Sequence, residues 1–180
     1  SYNNTAIETM KNLNVAQVGL VEHDFKAVVE QNYQILQTVA NSVSARKVLK
    51  GELDLESVAD WLKKVDDEVG DGNAMALSNA DGMQIIRTVD KCVDVADREY
   101  FQQAKSGKNF YVSDQIISKS TGQRICTFIH PIYDLDGTFL GAIQRNYDLS
   151  VFNQLVKDEV TEKNMDIFIG DNNGDLIAHT

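Results

Sequence analysis

Several features that mark common classes of protein are scarce or absent in this sequence of 180 residues. The two cysteines, Cys92 and Cys126, are too few for a disulfide framework and lack the CxxC spacing of zinc or thiol redox sites. No run of 18 or more apolar residues occurs, and no signal peptide is found. Asp and Glu number 27 against 17 Lys and Arg, so a formal charge of −10 disfavours nucleic acid and anionic membrane surfaces as partners.

Signatures of enzymes are missing as well. The sequence has no Gly-x-Ser-x-Gly elbow, phosphate-binding loop, dinucleotide glycine fingerprint or His-Glu-x-x-His motif, and its three histidines fall in different predicted elements. Residues 171–175 superficially resemble a calcium loop, but a hairpin turn accounts for the same residues. We therefore predict that the chain is not an enzyme and holds no cofactor and no metal.

What the sequence does contain is the composition of a folded domain that opens with a helix. Apolar residues make up 43% and charged residues 24%, which is ordinary for a globular protein, and the length suffices for one main core. From Thr5 to about Lys50 there is no proline and one glycine, Gly19, and residues 5–8 have the form of a capping box. We predict one long N-terminal helix that occupies residues 1–52.

An apolar stripe along this helix has the alternating spacing of three and four residues that is typical of a coiled-coil seam. Its members are Val18, Val21, Phe25, Val28, Asn32, Ile35 and Val39, with Asn32 as the polar exception. Two interpretations fit the stripe: the helix packs on its own domain, or it pairs with a second copy in a parallel homodimer in which Asn32 sets the register.

Residues 53–160 are predicted to form an α+β domain. The patterns indicate a helix over 54–69 capped by Asp54 and ended by Gly70, a hairpin of strands 74–79 and 83–89, a short helix over 97–107 capped by Asp97, and strands over 111–118, 123–133 and 138–147. This order favours an antiparallel sheet of about five strands with flanking helices. A last helix over 149–160 would lead into residues 161–180, where 165–170 and 175–179 form a hairpin.

Three of these segments, taken in order, resemble the Cache superfamily of PAS-like domains. They are DREYFQQAKSGKNFYVSD (97–114), the polar turn 118–122, and HPIYDLDGTFLGAI (130–143). The resemblance covers about residues 5–160 and implies a long N-terminal helix followed by a PAS-like ligand-binding domain. Residues 167–180 look like the opening strands of the second, membrane-proximal subdomain of double Cache proteins, so that subdomain would be truncated here.

The resemblance implies an extracytoplasmic sensor, periplasmic or extracellular, of a membrane-anchored receptor. Such domains occur in chemotaxis receptors, sensor histidine kinases and diguanylate cyclases, and we expect the chain to be an excised part of one. We expect a methyl-accepting chemotaxis protein that binds a small organic acid or amino acid. The alternative is a ligand-free dimerisation module of a sensor histidine kinase or diguanylate cyclase, in which the long helix joins two receptors.

The resemblance also implies the site. In the amino-acid-binding branch of the family an Arg-x-Trp-Tyr motif meets the ligand carboxylate, while a tyrosine and two aspartates hold the ammonium. Here the first motif is Arg98-Glu99-Tyr100-Phe101, a Tyr-x-Asp element is replaced by Val112-Ser113-Asp114, and Asn146 stands where the second aspartate is expected. The candidate ligand-binding residues are Arg98, Tyr100, Phe101, Tyr111, Val112, Asp114 and Asn146.

The chemistry of these residues fits such a role. The planar guanidinium of Arg98 suits bidentate contact with a carboxylate, although it could instead pair with a neighbouring surface carboxylate. Tyr100 and Phe101 either wall a pocket or pack the short helix on the sheet. Asp114 either meets a ligand ammonium or faces water at a strand end. We therefore expect a small anion or zwitterion to bind between the sheet and the helix that begins near Arg98.

Overall fold

The computed structural model describes residues 14–15, 19–150, 168–170 and 176–179, and side chains from residue 26 to residue 150. Over these residues the helices are α1 (Gly19–Ala40), α2 (Val43–Leu49), α3 (Leu55–Val69) and α4 (Glu99–Lys105). The strands are β1 (Asn14–Val15), β2 (Met75–Asn79), β3 (Gln84–Arg87), β4 (Tyr111–Val112), β5 (Ile116–Ile117), β6 (Arg124–Tyr133), β7 (Phe139–Asp148), β8 (Phe168–Gly170) and β9 (Leu176–His179). Among the helices described, none is long and apolar enough to cross a membrane.

The centre of the fold is an antiparallel sheet of six strands in the order β3-β2-β7-β6-β4, with β5 also paired to β6. This confirms the predicted α+β, PAS-like fold. The sheet has one strand more than expected because the segment 111–118 is split into β4 and β5. The split follows from Ser113, whose side-chain oxygen accepts the Thr127 N–H (2.8 Å) and donates to the carbonyl of Asp114 (2.7 Å). A side chain that takes over a ladder contact in this way competes with regular strand pairing.

The N-terminal region differs from the predicted single helix. Asn14–Val15 forms a strand that pairs with β8, and α1 begins at Gly19. The helix also ends at Ala40, because the Ser42 hydroxyl donates to the Val39 carbonyl (2.7 Å) and accepts the Ala45 N–H (3.1 Å), which caps α2. Serine caps of this kind start new helices without any proline or glycine. Residues 1–13 and 16–18 lie outside the described residues.

Helix α1 packs on its own domain. Val29, Tyr33, Leu36 and Val39 are buried in one core with apolar side chains of the sheet. Asn32 is 1% exposed, and its Oδ1 accepts a hydrogen bond from Arg145 Nη1 at 2.7 Å. Of the two interpretations of the stripe, the first, packing on its own domain, is therefore correct for residues 28–39. Val18, Val21 and Phe25 lie outside the residues whose side chains are described, and a homodimer through this helix stays a prediction.

The remaining elements match the predictions more closely. Helix α3 has Asp54 as its N-cap, which accepts the Ser57 N–H at 2.9 Å, and Gly70 closes it in the left-handed conformation. The hairpin of β2 and β3 is confirmed, as is the pairing of β8 with β9. The predicted capping of α4 is wrong: the N-cap position is Arg98, and Asp97 pairs with Lys119 instead. The predicted helix over 149–160 lies outside the described residues beyond 150.

A close approach of β2 and β7 requires glycine at position 141. Gly141 has φ of +153°, and a Cβ there would lie 2.0 Å from the Ser78 carbonyl oxygen. We expect Gly141→Ala to lower the free energy of unfolding by about 2–4 kcal/mol, as backbone strain and steric overlap add. The control is Gly137→Ala, where φ is +89° but no atom lies within 4 Å, so that only strain of about 1 kcal/mol is expected. Urea unfolding measures both, and equal losses would contradict the steric argument.

Candidate ligand-binding site

The two faces of β7 have different partners. Side chains alternate across a strand, so residues 142, 144 and 146 share one face and residues 143, 145 and 147 the other. Ile143 and Tyr147 belong to the large core beneath α1, whereas Ala142 belongs to the smaller core with Phe101 and Ala104 of α4. The site candidates Arg98 and Asn146 are therefore brought together on the α4 face of the sheet.

A small cavity opens on this face, between the sheet, the start of α4 and the segment 116–120. Its empty volume is about 220 Å³, part of it open to solvent, and only about 10 Å³ admits the centre of a water molecule. The side chains around the cavity thus leave room for about one water molecule. The lining residues are Gln84, Arg87, Val93, Val95, Arg98, Tyr100, Ile116, Ile117, Ser118, Lys119, Ser120, Ile125 and Asn146.

Arg98 is one of the residues that line this cavity. Its Nη2 donates to the Ile117 carbonyl at 3.0 Å, which ties the start of α4 to β5. No carboxylate of the described residues forms an ion pair with this guanidinium; the nearby acid Asp97 is taken by Lys119. The surface ion pair that was the alternative role for Arg98 is therefore not formed among these residues.

Arg87 supplies a second guanidinium, which the sequence analysis did not single out. Its Nε donates to the Val89 carbonyl at 2.7 Å, and its Nη1 contacts Gln84 Oε1 at 3.4 Å. Burial lowers the pKa of Arg87, and the charge of Asp90 only partly offsets this. Within the described part of the chain no carboxylate lies in ion-pair contact with Arg87. The Arg87 side chain is thus partly buried, and none of the described carboxylates forms an ion pair with it.

Two lining residues, Asn146 and Tyr100, belong to a buried network of amides and hydroxyls. Asn146 Oδ1 accepts hydrogen bonds from Thr127 Oγ1 (3.2 Å) and Gln144 Nε2 (2.9 Å). Gln144 Nε2 also donates to the hydroxyl of Tyr100 at 3.4 Å, and burial raises the pKa of that hydroxyl, so it stays protonated. Since the oxygen of Asn146 already serves two donors, its amide nitrogen is the group it can offer to a ligand.

Gln84 offers a donor as well. Its Oε1 accepts the Val93 N–H at 3.1 Å, which fixes the orientation of the amide. Its Nε2 is buried and has no hydrogen-bond partner. Because a buried polar group without a partner is costly, this atom is available to an acceptor that enters the cavity.

Three of the seven predicted site residues line the cavity: Arg98, Tyr100 and Asn146. Tyr100 and Phe101 are about 100° apart on α4, so only one of them can face the cavity. Phe101 is fully buried against Phe139, with ring centroids 6.1 Å apart.

The other predicted residues lie elsewhere. Val112 is part of the large core on the opposite face. The Tyr111 hydroxyl donates to Glu99 Oε1 at 3.1 Å, outside the cavity. Asp114 is half-buried and is not among the lining residues. The residues that sequence reasoning missed are Gln84 and Arg87 on β3, and Gln144, which the alternation of β7 would have paired with Asn146.

A six-stranded antiparallel sheet with a small polar cavity under a short helix defines a PAS-like sensor domain. The family model described as the Cache domain matches residues 1–180, and the chain belongs to the Cache family of ligand-binding sensor domains. The resemblance predicted from the sequence is thus confirmed.

Individual relatives agree with this assignment. The chain is 29% identical over 137 residues to Sporulation kinase D of Bacillus subtilis, which covers 73% of this chain and 27% of that protein. The chain therefore spans about a quarter of the length of this curated relative.

Solved structures show the same fold at low sequence identity. The ligand-binding domain of the Campylobacter jejuni chemoreceptor Tlp3, in complex with 4-methylisoleucine, has a TM-score of 0.70 at 15% identity, covering 99% of this chain and 70% of that one. The sensor domain of the V. cholerae histidine kinase DctB has a TM-score of 0.65 at 17% identity, covering 85% and 59%. The ligand-binding domain of the Pseudomonas aeruginosa amino acid chemoreceptor PctC, in complex with GABA, has a TM-score of 0.58 at 14% identity, covering 83% and 63%.

Proposed function

We propose that the chain is the extracytoplasmic ligand-binding part of a membrane-anchored signalling receptor, and that the cavity at Arg98 binds a small organic acid or amino acid. The observation that carries this proposal is a guanidinium that lines a cavity together with other polar side chains and forms no ion pair with the described carboxylates. Two similar domains were solved with 4-methylisoleucine and with GABA, both of which carry a carboxylate. The planar guanidinium group matches the geometry of a carboxylate, with which it can form two parallel hydrogen bonds.

The output of the receptor is a further part of the proposal. The solved domains of similar fold come from chemoreceptors and from histidine kinases. Identity of 29% to Sporulation kinase D favours a sensor kinase over the methyl-accepting chemotaxis protein expected from the sequence.

Binding would exchange one contact of Arg98 for another. Because only about 10 Å³ of the cavity admits the centre of a water molecule, we expect a ligand to displace the contact between Arg98 and the Ile117 carbonyl. A ligand carboxylate would replace that carbonyl as the partner of the guanidinium, and it would add the attraction of opposite charges and the option of two parallel hydrogen bonds.

Strand β7 provides a route from the cavity to α1. Asn146 faces the cavity, while the preceding residue, Arg145, donates to Asn32 of α1 on the other face. A ligand that prefers one position of β7 would therefore also favour one position of α1, which is the differential binding that signalling requires.

Thermal unfolding in the presence of carboxylic acids and amino acids tests the proposal. A ligand at a hundredfold excess over its Kd is expected to stabilise the chain by about 2.7 kcal/mol. Arg98→Ala is expected to remove this stabilisation. Arg46→Ala is the matched control, because Arg46 also donates to a backbone carbonyl, that of Asn41 at 3.1 Å, but lies outside the cavity.

Two outcomes would contradict the proposal. Stabilisation that survives in Arg98→Ala would place the ligand elsewhere. If no acid stabilises the wild-type chain while the chain dimerises firmly, the ligand-free dimerisation module is the better description.

A further inference from the structure

Two carboxylates and one guanidinium form a buried cluster between α1, α3 and β7, on the face of the sheet away from the cavity. Arg145 is 0% exposed and donates both to Asn32 of α1 and to Asp71 in the loop after α3. Asp66, on the inner face of α3, is 9% exposed and forms no ion pair with the described cations. With both carboxylates ionised, one buried cation would therefore have to compensate two buried anions.

Asp66 is the carboxylate with the weaker partner. Arg145 Nη2 donates directly to Asp71 Oδ1 at 2.5 Å. Asp66 has the Thr88 hydroxyl as its hydrogen-bond partner instead. Thr88 Oγ1 accepts the Met75 N–H at 2.9 Å, which leaves the hydrogen of that hydroxyl free to point to Asp66. One neutral donor compensates a buried carboxylate poorly.

The other groups around Asp66 do not supply the missing positive charge. Lys63 lies one turn earlier on α3 but pairs with Asp67, and the charge of Asp71 repels that of Asp66. The side chain that α1 contributes to the cluster is Asn32, an amide without charge. Burial raises the pKa of Asp66, and the neighbouring hydroxyl and guanidinium offset only part of this effect.

We propose that Asp66 is a proton-binding site through which the packing of α3 and α1 responds to pH. When Asp66 is protonated, the guanidinium of Arg145 serves Asp71 and Asn32 alone. When Asp66 is ionised, it attracts the same guanidinium, which has a donor left for it because Arg145 Nε is buried and without a hydrogen-bond partner. Since Arg145 also holds Asn32, the charge of Asp66 affects the contact between β7 and α1.

The direction of the effect on stability follows from proton linkage. The pKa of Asp66 is higher in the folded chain than in the unfolded chain, so the folded chain binds the additional proton. The stabilisation is therefore fully present below the ordinary pKa of an aspartate, about 3.9, and is lost as the pH rises through the folded-state value. Asp71 contributes in the opposite direction, so a comparison of variants is needed to isolate Asp66.

Urea unfolding of the wild type and of Asp66→Asn between about pH 4 and pH 7 tests the proposal. Asparagine resembles the protonated acid and can still accept from Thr88. We expect Asp66→Asn to have a higher urea midpoint than the wild type at pH 7 and a nearly equal one at about pH 4. Asp67→Asn is the matched control on the same helix: it removes an exposed ion pair with Lys63, so its midpoint at pH 7 should equal that of the wild type or fall below it.

Trp61, the only tryptophan of the sequence, provides a second measurement. It lies on α3 five residues before Asp66 and is half-buried. We expect its fluorescence to change with pH in the wild type, with the midpoint at which an NMR titration shows the Asp66 carboxyl to ionise, and to lose this change in Asp66→Asn. Both measurements use the chain without a ligand, so they test this inference separately from the proposed function.

Three results would overturn the inference. If Asp66→Asn is less stable than the wild type by the same amount at both pH values, the carboxylate acts only as a hydrogen-bond acceptor. If the Asp66 carboxyl ionises at or below the ordinary value of about 3.9, the folded chain binds no additional proton there. If the fluorescence of Trp61 responds to pH equally in the two chains, the response arises from another group.

Discussion

Replacing Arg145 by methionine is expected to lower the free energy of unfolding by about 2–3 kcal/mol, because it leaves the buried Asn32 Oδ1 without its donor and removes an ion pair with the partly exposed Asp71. The Arg145 side chain is 0% exposed; its Nη1 donates to Asn32 Oδ1 at 2.7 Å and its Nη2 to Asp71 Oδ1 at 2.5 Å. These contacts join β7 to α1 and to the loop after α3. Methionine fills much of the same volume, so the loss reports the polar contacts rather than a large cavity.

The same contact predicts how stability depends on pH. Burial alone would raise the pKa of Asp71, but the hydrogen bond and charge of Arg145 hold it below its ordinary value. The unfolded state then binds more protons near the ordinary pKa, so the stabilisation is present above that pKa and is lost as the pH falls through the folded-state value. We expect Arg145→Met to show a smaller loss of stability on acidification, measured by urea unfolding between about pH 5 and pH 3.

A double substitution serves as the control for the loss of stability expected in Arg145→Met. In a chain that already carries Asn32→Leu, Arg145→Met is expected to cost less than in the wild type, because the two side chains share a contact. Arg46→Met, on the surface of α2, is expected to change stability by less than about 0.5 kcal/mol. A loss below about 1 kcal/mol for Arg145→Met would show that the buried contacts contribute little.

Asn146→Asp is expected to weaken binding of the anionic ligand at least about a hundredfold, equivalent to about 2.7 kcal/mol. The introduced carboxylate would share the cavity with Arg87 and Arg98, and would itself pair with these arginines in place of the ligand. Its oxygens would still accept from Thr127 and Gln144, so the fold should tolerate the change. The substitution would also provide a charged acceptor for an ammonium group, which should raise the affinity for amino acids relative to organic acids.

Asn146→Ala separates the effect of charge from that of a lost contact. It removes one donor without adding a charge, so we expect binding to weaken by about tenfold. Calorimetry on both variants, with thermal unfolding to verify the fold, gives the comparison. Undiminished anion binding by Asn146→Asp would mean that the ligand does not approach this residue.

The parts of the fold with local signals were predictable from the sequence. Asp54 caps the start of α3 and Gly70 caps its end, which are the positions that these residue types favour. The Asp81-Gly82 turn joins β2 to β3. The breaks at Ser42 and Ser113 were not predicted, because in both places a serine hydroxyl takes over a backbone contact and nothing in the hydrophobic pattern changes.

The site was predictable only where a linear motif carried it. Arg98, Tyr100 and Asn146 followed from the Cache resemblance, whereas Phe101 and Val112 are core residues because each points away from the cavity. Gln84 and Arg87 reach the site through the pairing of β3 with β2 and of β2 with β7, which no local pattern reveals.

Asn32 is a second case of a long-range contact. Its position in an apolar stripe is compatible with a register-setting residue of a coiled coil, but its partner is Arg145 in the same chain, 113 residues away. Periodicity alone cannot identify a partner at that separation.

A crystal structure of the chain with its tightest-binding acid tests the central claim most directly. The account predicts a carboxylate within hydrogen-bond distance of the Arg98 guanidinium group, with the contact from Arg98 to the Ile117 carbonyl broken. A ligand bound at another place, with Arg98 still donating to Ile117, would contradict it.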